Sequence, residues 1–382
     1  MLAATSSIPH DQLVSFARQL MQDALPELET ATGRPWHFHI TEPLSLGSNE
    51  RRHAGDFLGE GSLRLVEGSF DLIVIITDIA VMSRRDRIVF GLSSPLARTV
   101  VLSTHRLRRL GRGDKLALDA RQVRMDAAAL LLHLIGQTLG APSDPRPGTA
   151  MSPFQPDPQR DRVPPFGDRK AMEHLASRFP EREHSVGSPA GDLGVHLGSA
   201  LRHPRLVLRA LLRNRAILLP LKMPALATAA VAPVFVLVFS AEFWDAGLGM
   251  SQLTAWSYAG VSILAASLFL CFAQRLFLPR KESHIVPEHL AVANVVIFLS
   301  MLMAIIGLFV MVAALALAIE LWVFPSDLIS TWPTLSNEQA GIADLLKIAV
   351  FISTVGVTTG ALAGGLHRRQ VLRHMALFQT EV

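Results

Sequence analysis

Four long apolar stretches fill the last part of this chain, and the hydrophilic connections between them alternate between arginine-rich and arginine-free. The stretches cover 223–244, 253–273, 290–318 and 345–366. Each carries the roughly 20 apolar residues with which a helix crosses the hydrocarbon core of a bilayer. Arg202, Arg205, Arg209, Arg213 and Arg215 precede the first stretch. Arg275, Arg280 and Lys281 separate the second from the third, and Arg368, Arg369 and Arg373 follow the fourth. The other two connections, 242–252 and 325–342, contain neither Lys nor Arg and are too short to hold a domain. Because Lys and Arg in short connections stay on the cytoplasmic side, the pattern predicts a multi-pass protein of the cytoplasmic (inner) membrane. It has four crossings, with the N-terminus and C-terminus both in the cytoplasm.

The chain has 382 residues, half of them hydrophobic, which is enough for two domains. Its apolar excess begins only after residue 216, and residues 1–200 have the composition of a soluble protein. The formal charge of +4 fits a lipid surface better than a nucleic acid. Much of the arginine borders the apolar stretches, where anionic headgroups attract each basic side chain by about 1 kcal/mol. Within a basic juxtamembrane segment, 200–222, residues 201–212 read as an amphipathic helix lying on the inner leaflet. Arg202, Arg205, Arg209, Arg213 and Arg215 are its expected lipid-facing charges, and no nucleic-acid partner is expected. The single cysteine, Cys271, lies inside the second stretch, so no intrachain disulfide forms and the soluble part suits a reducing compartment. No basic segment followed by an apolar core opens the chain, so no export signal is expected.

Residues 1–140 read as a cytoplasmic α/β (or α+β) domain ahead of an all-α bundle of four transmembrane helices over 223–382. Apolar residues at helical spacing predict a helix over 11–25 that stops at Pro26. The alternation in 36–46 predicts a strand, and the Ile- and Val-rich run 70–77 predicts a strand covered on both faces. Further strands are expected at 87–92 and 99–102, then an Ala- and Leu-rich helix over 119–139 closed by Gly140. Residues 141–165 hold eight prolines, and glycines with another proline follow over 187–198. The whole of 141–199 therefore reads as a Pro/Gly-rich tether with one short helix at 169–179.

The helix ending at Gly140 carries His133-Leu134-Ile135-Gly136-Gln137-Thr138-Leu139-Gly140, and Thr149-Ala150-Met151-Ser152 follows. Over about residues 65–155 this resembles the metzincin zinc peptidases, closest to their archaemetzincin branch. There two imidazoles one helical turn apart face one zinc, a Gly turns the chain to deliver a third His, a Glu activates the zinc-bound water, and a methionine turn lies beneath. The resemblance implies a zincin-like domain with His133 as first ligand, Gly140 as the turn and Met151 as the methionine turn. It also implies the loss of the chemistry. Leu134 stands for the catalytic Glu, Gln137 for the second His and Ser143 for the third, and loss of the general base alone costs about 10²- to 10⁴-fold in rate. A pseudo-peptidase without catalysis or cofactor is expected. An ordinary core helix closed by a glycine, with an incidental histidine, accounts for the same letters.

His37 and His39 alternate along the expected strand and share a face, with His53 nearby in sequence, but no spacing of Cys or carboxylates completes a zinc site around them. Asp78 follows a strand, where α/β proteins place either a ligand-binding residue or a turn cap. Arg106, Arg108, Arg109, Arg112 and Lys115 form a basic loop without the Gly-Lys-Ser/Thr of a phosphate loop. In the fourth stretch Gly356, Gly360 and Gly364 place three positions without side chains on one stripe. That stripe serves close packing within the bundle or a homo-oligomer or protein partner. The central parts of the stretches hold no charge, and Glu320, Asp344 and Lys347 lie toward the outer boundary. The resulting expectation is a membrane-held binding module. Its alternatives are a membrane-anchored zinc metallopeptidase with ligands such as His37 and His39, and a small channel or transporter.

Overall fold

The computed structural model describes residues 2–4, 8–41, 44–45, 51–68, 70–83, 87–109, 115–177, 183–185, 189–214, 216–222, 224–278, 285–324, 341–363 and 380–381. The chain divides into two compact units, one of residues 1–210, 278–295 and 370–382, the other of residues 211–277 and 296–369.

The first unit is built on strands β1 (Leu2–Ala4), β2 (Leu44–Ser45), β3 (Arg51–His53), β4 (Ile73–Thr77), β5 (Ala80–Met82), β6 (Ile88–Val89), β7 (Gly91–Ser94), β8 (Thr99–Ser103), β9 (Glu183–Ser185), β10 (Ile285–Pro287) and β11 (Thr380–Glu381). The main sheet has the order β11-β7-β8-β4-β1-β2. β2, β1, β4 and β8 run parallel, whereas β7 is antiparallel to β8 and β11 antiparallel to β7. β3, β5 and β6 form a small second sheet, and β9 pairs with β10. Every residue of β4 and β8 is buried, as expected of strands covered on both faces.

Helices α1 (His10–Thr32), α2 (Gly55–Glu67), α3 (Thr104–Leu107), α4 (Arg121–Leu139), α5 (Arg169–Ser177), α6 (Pro189–Arg202) and α7 (Pro204–Asn214) follow in chain order. α1 and α4 pack on Val74, Ile76, Val100 and Leu102 to form the main core. On the other side, Gly61 of α2 leaves only 3.2 Å between a Cβ at its position and Ile75. α1 runs through Pro26, where a stop was expected, because its buried stripe continues through Leu28 and Ala31. Tertiary burial of that stripe outweighs the one backbone hydrogen bond a proline removes. The helix ends instead at Gly33, whose φ of 63° lets its N–H reach the Glu29 carbonyl.

Two further expectations change. Residues 36–41 join no ladder, and of the predicted strand only β2 is paired among the described residues; Trp36, Phe38 and Ile40 pack on the core while His37 and His39 are exposed. The proline-rich segment is no free tether over 141–177. Ala150, Met151, Phe166 and Met172 enter the main core. The Phe166 N–H donates to Glu27 Oε1 at 2.8 Å, and Arg160 pairs with the fully buried Asp126 at 2.7 Å. Prolines suit such a coat because it forms no ladder and leaves few backbone donors to satisfy.

The second unit holds a 3-10 turn (Ala216–Lys222), α8 (Pro224–Leu237), α9 (Ala241–Gly249), α10 (Gln252–Ala273), the greater part of α11 (Glu288–Val323) and α12 (Ile342–Ala363). Among the described residues three helices, Gln252–Ala273, Glu288–Val323 and Ile342–Leu362, are long and apolar enough to cross a membrane. Pro204–Leu221 and Leu226–Leu237 make a fourth if the pair, bent by 49°, counts as one span. The first apolar stretch is therefore not one helix over 223–244. α8 carries Pro233 inside it and ends at Leu237, and the Trp244 indole N–H donates to the Val238 carbonyl at 2.7 Å, satisfying an acceptor left over at that helix end. The basic amphipathic segment is likewise split, by a break at His203 with Pro204 opening α7.

Candidate functional site

The site that combines buried polar side chains with the sequence motif lies along the second half of α4. Gly140 closes this helix at φ 95°, a left-handed conformation that suits glycine, and its N–H reaches the Gln137 and Gly136 carbonyls. The chain then turns back, and the Ala141 N–H donates to the Gly136 carbonyl at 2.9 Å. This return lays 149–152 against the helix it has just left. The approach is close: a Cβ on Gly136 would collide with Met151 Sδ and meet Phe166 at 3.0 Å. Gly136 is thus required by the methionine that passes over it, and Asp144 N–H, bonded to the Met151 carbonyl at 2.9 Å, closes the loop.

His133 sits between helix and loop and is buried. Its Nδ1 lies 2.8 Å from the Ala150 carbonyl and its Nε2 lies 2.7 Å from Gln137 Nε2. One assignment satisfies both contacts: Nδ1–H donates to the carbonyl, and Nε2 accepts from the Gln137 amide. Gln137 Oε1 accepts in turn from the Ser93 hydroxyl at 2.9 Å, on β7. The chain Ser93 to Gln137 to His133 to Ala150 leaves no group in it unpaired. Burial depresses the His133 pKa below the usual histidine range, and the Ala150 carbonyl opposes that shift in part. The imidazole is consequently neutral at pH 7.

The other positions of the motif are apolar or distant from this chain of hydrogen bonds. Leu134, where the resemblance places the catalytic Glu, is fully buried and packs on β7, its Cδ1 2.6 Å from where a Cβ on Gly91 would stand. Ser143, at the third-ligand position, is exposed. Among the described residues no three His, Cys, Asp or Glu side chains converge as a metal-binding group. At this helix the single imidazole has its free lone pair filled by an amide, and the side chain one turn on is a glutamine.

His37 and His39 line a cavity of about 650 Å³ with Trp36, Phe38 and Phe70, and the His39 ring stacks on Phe70 at 5.8 Å. Asp78 is buried. Arg106 lies 4.2 Å over the Phe90 ring; Arg112 falls outside the described residues. In the second unit, a Cβ on Gly356 would meet the Ala230 carbonyl at 2.6 Å, and one on Gly360 would meet Ala230 Cβ at 2.9 Å and the Leu226 carbonyl at 3.1 Å. The glycine stripe is thus filled by α8 of the same chain, and Gly364 falls outside the described residues. Arg202 lies 3.5 Å from Glu288, and Arg205 and Arg209 are exposed. The side chains of Arg213 and Arg215 fall outside the described residues.

Sequence reasoning missed Ser93 and the Asp126–Arg160 pair. Ser93 carries no signal of its own, but an Asp within the Ala- and Leu-rich run 125–135 was a visible anomaly, since a carboxylate on a buried face requires a partner.

No family model and no curated protein matches the chain. Among solved structures, it is similar to the crystal structure of archaemetzincin from Methanopyrus kandleri, with 20% identity over 46% of this chain and 93% of that one, at a TM-score of 0.31.

Proposed function

We propose that this chain is a four-span protein of the cytoplasmic membrane whose N-terminal, metzincin-like domain binds a partner on the cytoplasmic side without catalysis and without zinc. The observation that carries the reading is the Gln137 amide on His133 Nε2. In the motif that these residues resemble, that nitrogen and the side chain at 137 hold the metal; here they hold each other. The remaining frame is retained, with Gly140 turning the chain and Met151 lying against Gly136.

The sidedness rests on two independent supports. Arginine assigns 200–222, the connection around 280 and the C-terminal tail to one side of the bilayer. Pairings within the first unit join the same segments: β9 to β10, Arg202 to Glu288, and β11 to β7. Segments that pair directly lie in one compartment, and four crossings give that result where three do not. Arg202, Arg205 and Arg209, beside the exposed Leu201, Leu208 and Leu212, suit an interface of anionic headgroups and acyl chains.

The test restores what the motif lacks. A chain carrying Leu134→Glu, Gln137→His and Ser143→His together is expected to gain chelator-sensitive zinc, about one ion per chain. Failure of a folded triple variant to take up zinc overturns the metzincin-like reading.

A further inference from the structure

Glu320 lies one turn from the end of α11, is fully buried, and offers two carboxylate oxygens with no hydrogen-bond partner among the described residues. It continues the buried stripe of Val312 and Ala316 at a spacing of four, which keeps all three on one face. Val312 approaches a Cβ position on Gly356 of α12 at 3.1 Å, so this face is turned into the bundle. One turn beyond Glu320, Phe324 rests on Trp244 and Phe239, with ring centroids 5.1 and 5.5 Å apart. The Trp244 N–H is already committed to Val238.

The sequence removes the ordinary remedy for such a group, a basic partner. No Lys or Arg occurs in 223–274 or in 282–346, so neither outward connection, whatever its conformation, can bring a lysine or arginine to Glu320. Lys347 on α12 pairs with Asp344 at 2.9 Å. The other titratable groups of α8, α9 and α10 are Glu242 and Asp245 on α9 and Tyr258 and Cys271 on α10, while Arg213 and Lys222 lie in the basic segment ahead of α8. Acids, a phenol and a thiol offer no neutralising charge. A carboxylate held out of water without a countercharge is unstable, which leaves an ion from outside the protein to neutralise it.

We propose that Glu320 is a proton-binding carboxyl of the membrane unit, exchanging its proton with water on the side of the arginine-free connections. The proton arrives from hydronium and returns to water, with no other bond made or broken. Such a group gives a bundle without central charges a site at which occupancy responds to the proton concentration of one compartment.

The full-length chain in native membranes is treated with dicyclohexylcarbodiimide. A protonated carboxyl in apolar surroundings adds its O–H across one C=N bond of the reagent, and the resulting O-acylisourea rearranges by O-to-N acyl transfer to a stable N-acylurea. Peptide mass mapping is expected to place the adduct on Glu320, with labelling lost in alkaline buffer. Glu320→Gln should lose the adduct, and Glu320→Asp, which keeps the acid, should retain it. A folded wild-type chain that is unlabelled at Glu320 at every pH overturns the proposal. Protection by Na⁺ at constant pH also overturns it, because the site then holds a metal cation instead.

Discussion

The Gln137 side-chain amide lies 2.7 Å from His133 Nε2, one turn earlier on the same helix, and fills the lone pair that a metal would otherwise take. Replacing Gln137 by Leu leaves that buried nitrogen and the Ser93 hydroxyl unpaired. The expected loss is about 1–3 kcal/mol of stability, read as a lower melting temperature of the full-length protein, with no change in bound metal.

The neutral state of His133 gives a pH dependence of definite sign. Its folded-state pKa is depressed by burial, so below about pH 6.5 the unfolded chain binds a proton that the folded one refuses. The contribution is fully present above the unfolded value and is lost as the pH falls toward the folded one, with a slope of at most about 1.4 kcal/mol per pH unit. Thermal melts across mildly acid pH should show a smaller acid destabilisation in His133→Gln than in the wild type.

Arg160 neutralises Asp126, which is fully buried, and holds the proline-rich coat onto α4. Removing one partner of a buried pair strands the other, so Arg160→Leu should destabilise by roughly 3–5 kcal/mol. Arg160→Leu with Asp126→Asn removes the stranded charge and should recover part of the loss. Limited proteolysis within 141–165 gives the local readout, with cleavage faster in the single variant than in the double.

Gly356→Leu drives a side chain into the backbone of α8, since even a Cβ would stand 2.6 Å from the Ala230 carbonyl. The helices must separate. We expect a loss of several kcal/mol, at or above the roughly 1–3 kcal/mol of core overpacking, seen as a collapse of thermal stability in detergent. Leu362→Ala, at an exposed position of the same helix, should leave it nearly unchanged.

Sidedness is open to a direct map. In a Cys271→Ser background, a membrane-impermeant thiol reagent applied to intact cells should label Gly249→Cys. Gln159→Cys should react only after the membrane is opened. Both positions are exposed. Labelling of Gln159→Cys in intact cells contradicts the topology.

What was legible in the sequence was what depends on local chemistry. Ile73–Thr77 and Thr99–Ser103 are β-branched runs and became central strands, and Gly140 closed its helix as expected. Pro26 misled because propensity is local, whereas the stripe through Leu28 and Ala31 is stabilised by what it packs against. The prolines of 141–165 misled for the opposite reason: Ala150, Met151 and Phe166 looked scattered in sequence, and only the return of the chain at Gly140 lines them up on α4. The link from Gln137 to Ser93 spans 44 residues and carries no spacing signal at all.

Metal analysis of the purified full-length chain tests the central claim most directly. If Gln137 occupies His133 as the structure has it, zinc stays far below stoichiometry and is the same in wild type and His133→Ala. About one zinc per chain, lost on His133→Ala, would contradict it and make the domain a metal site after all.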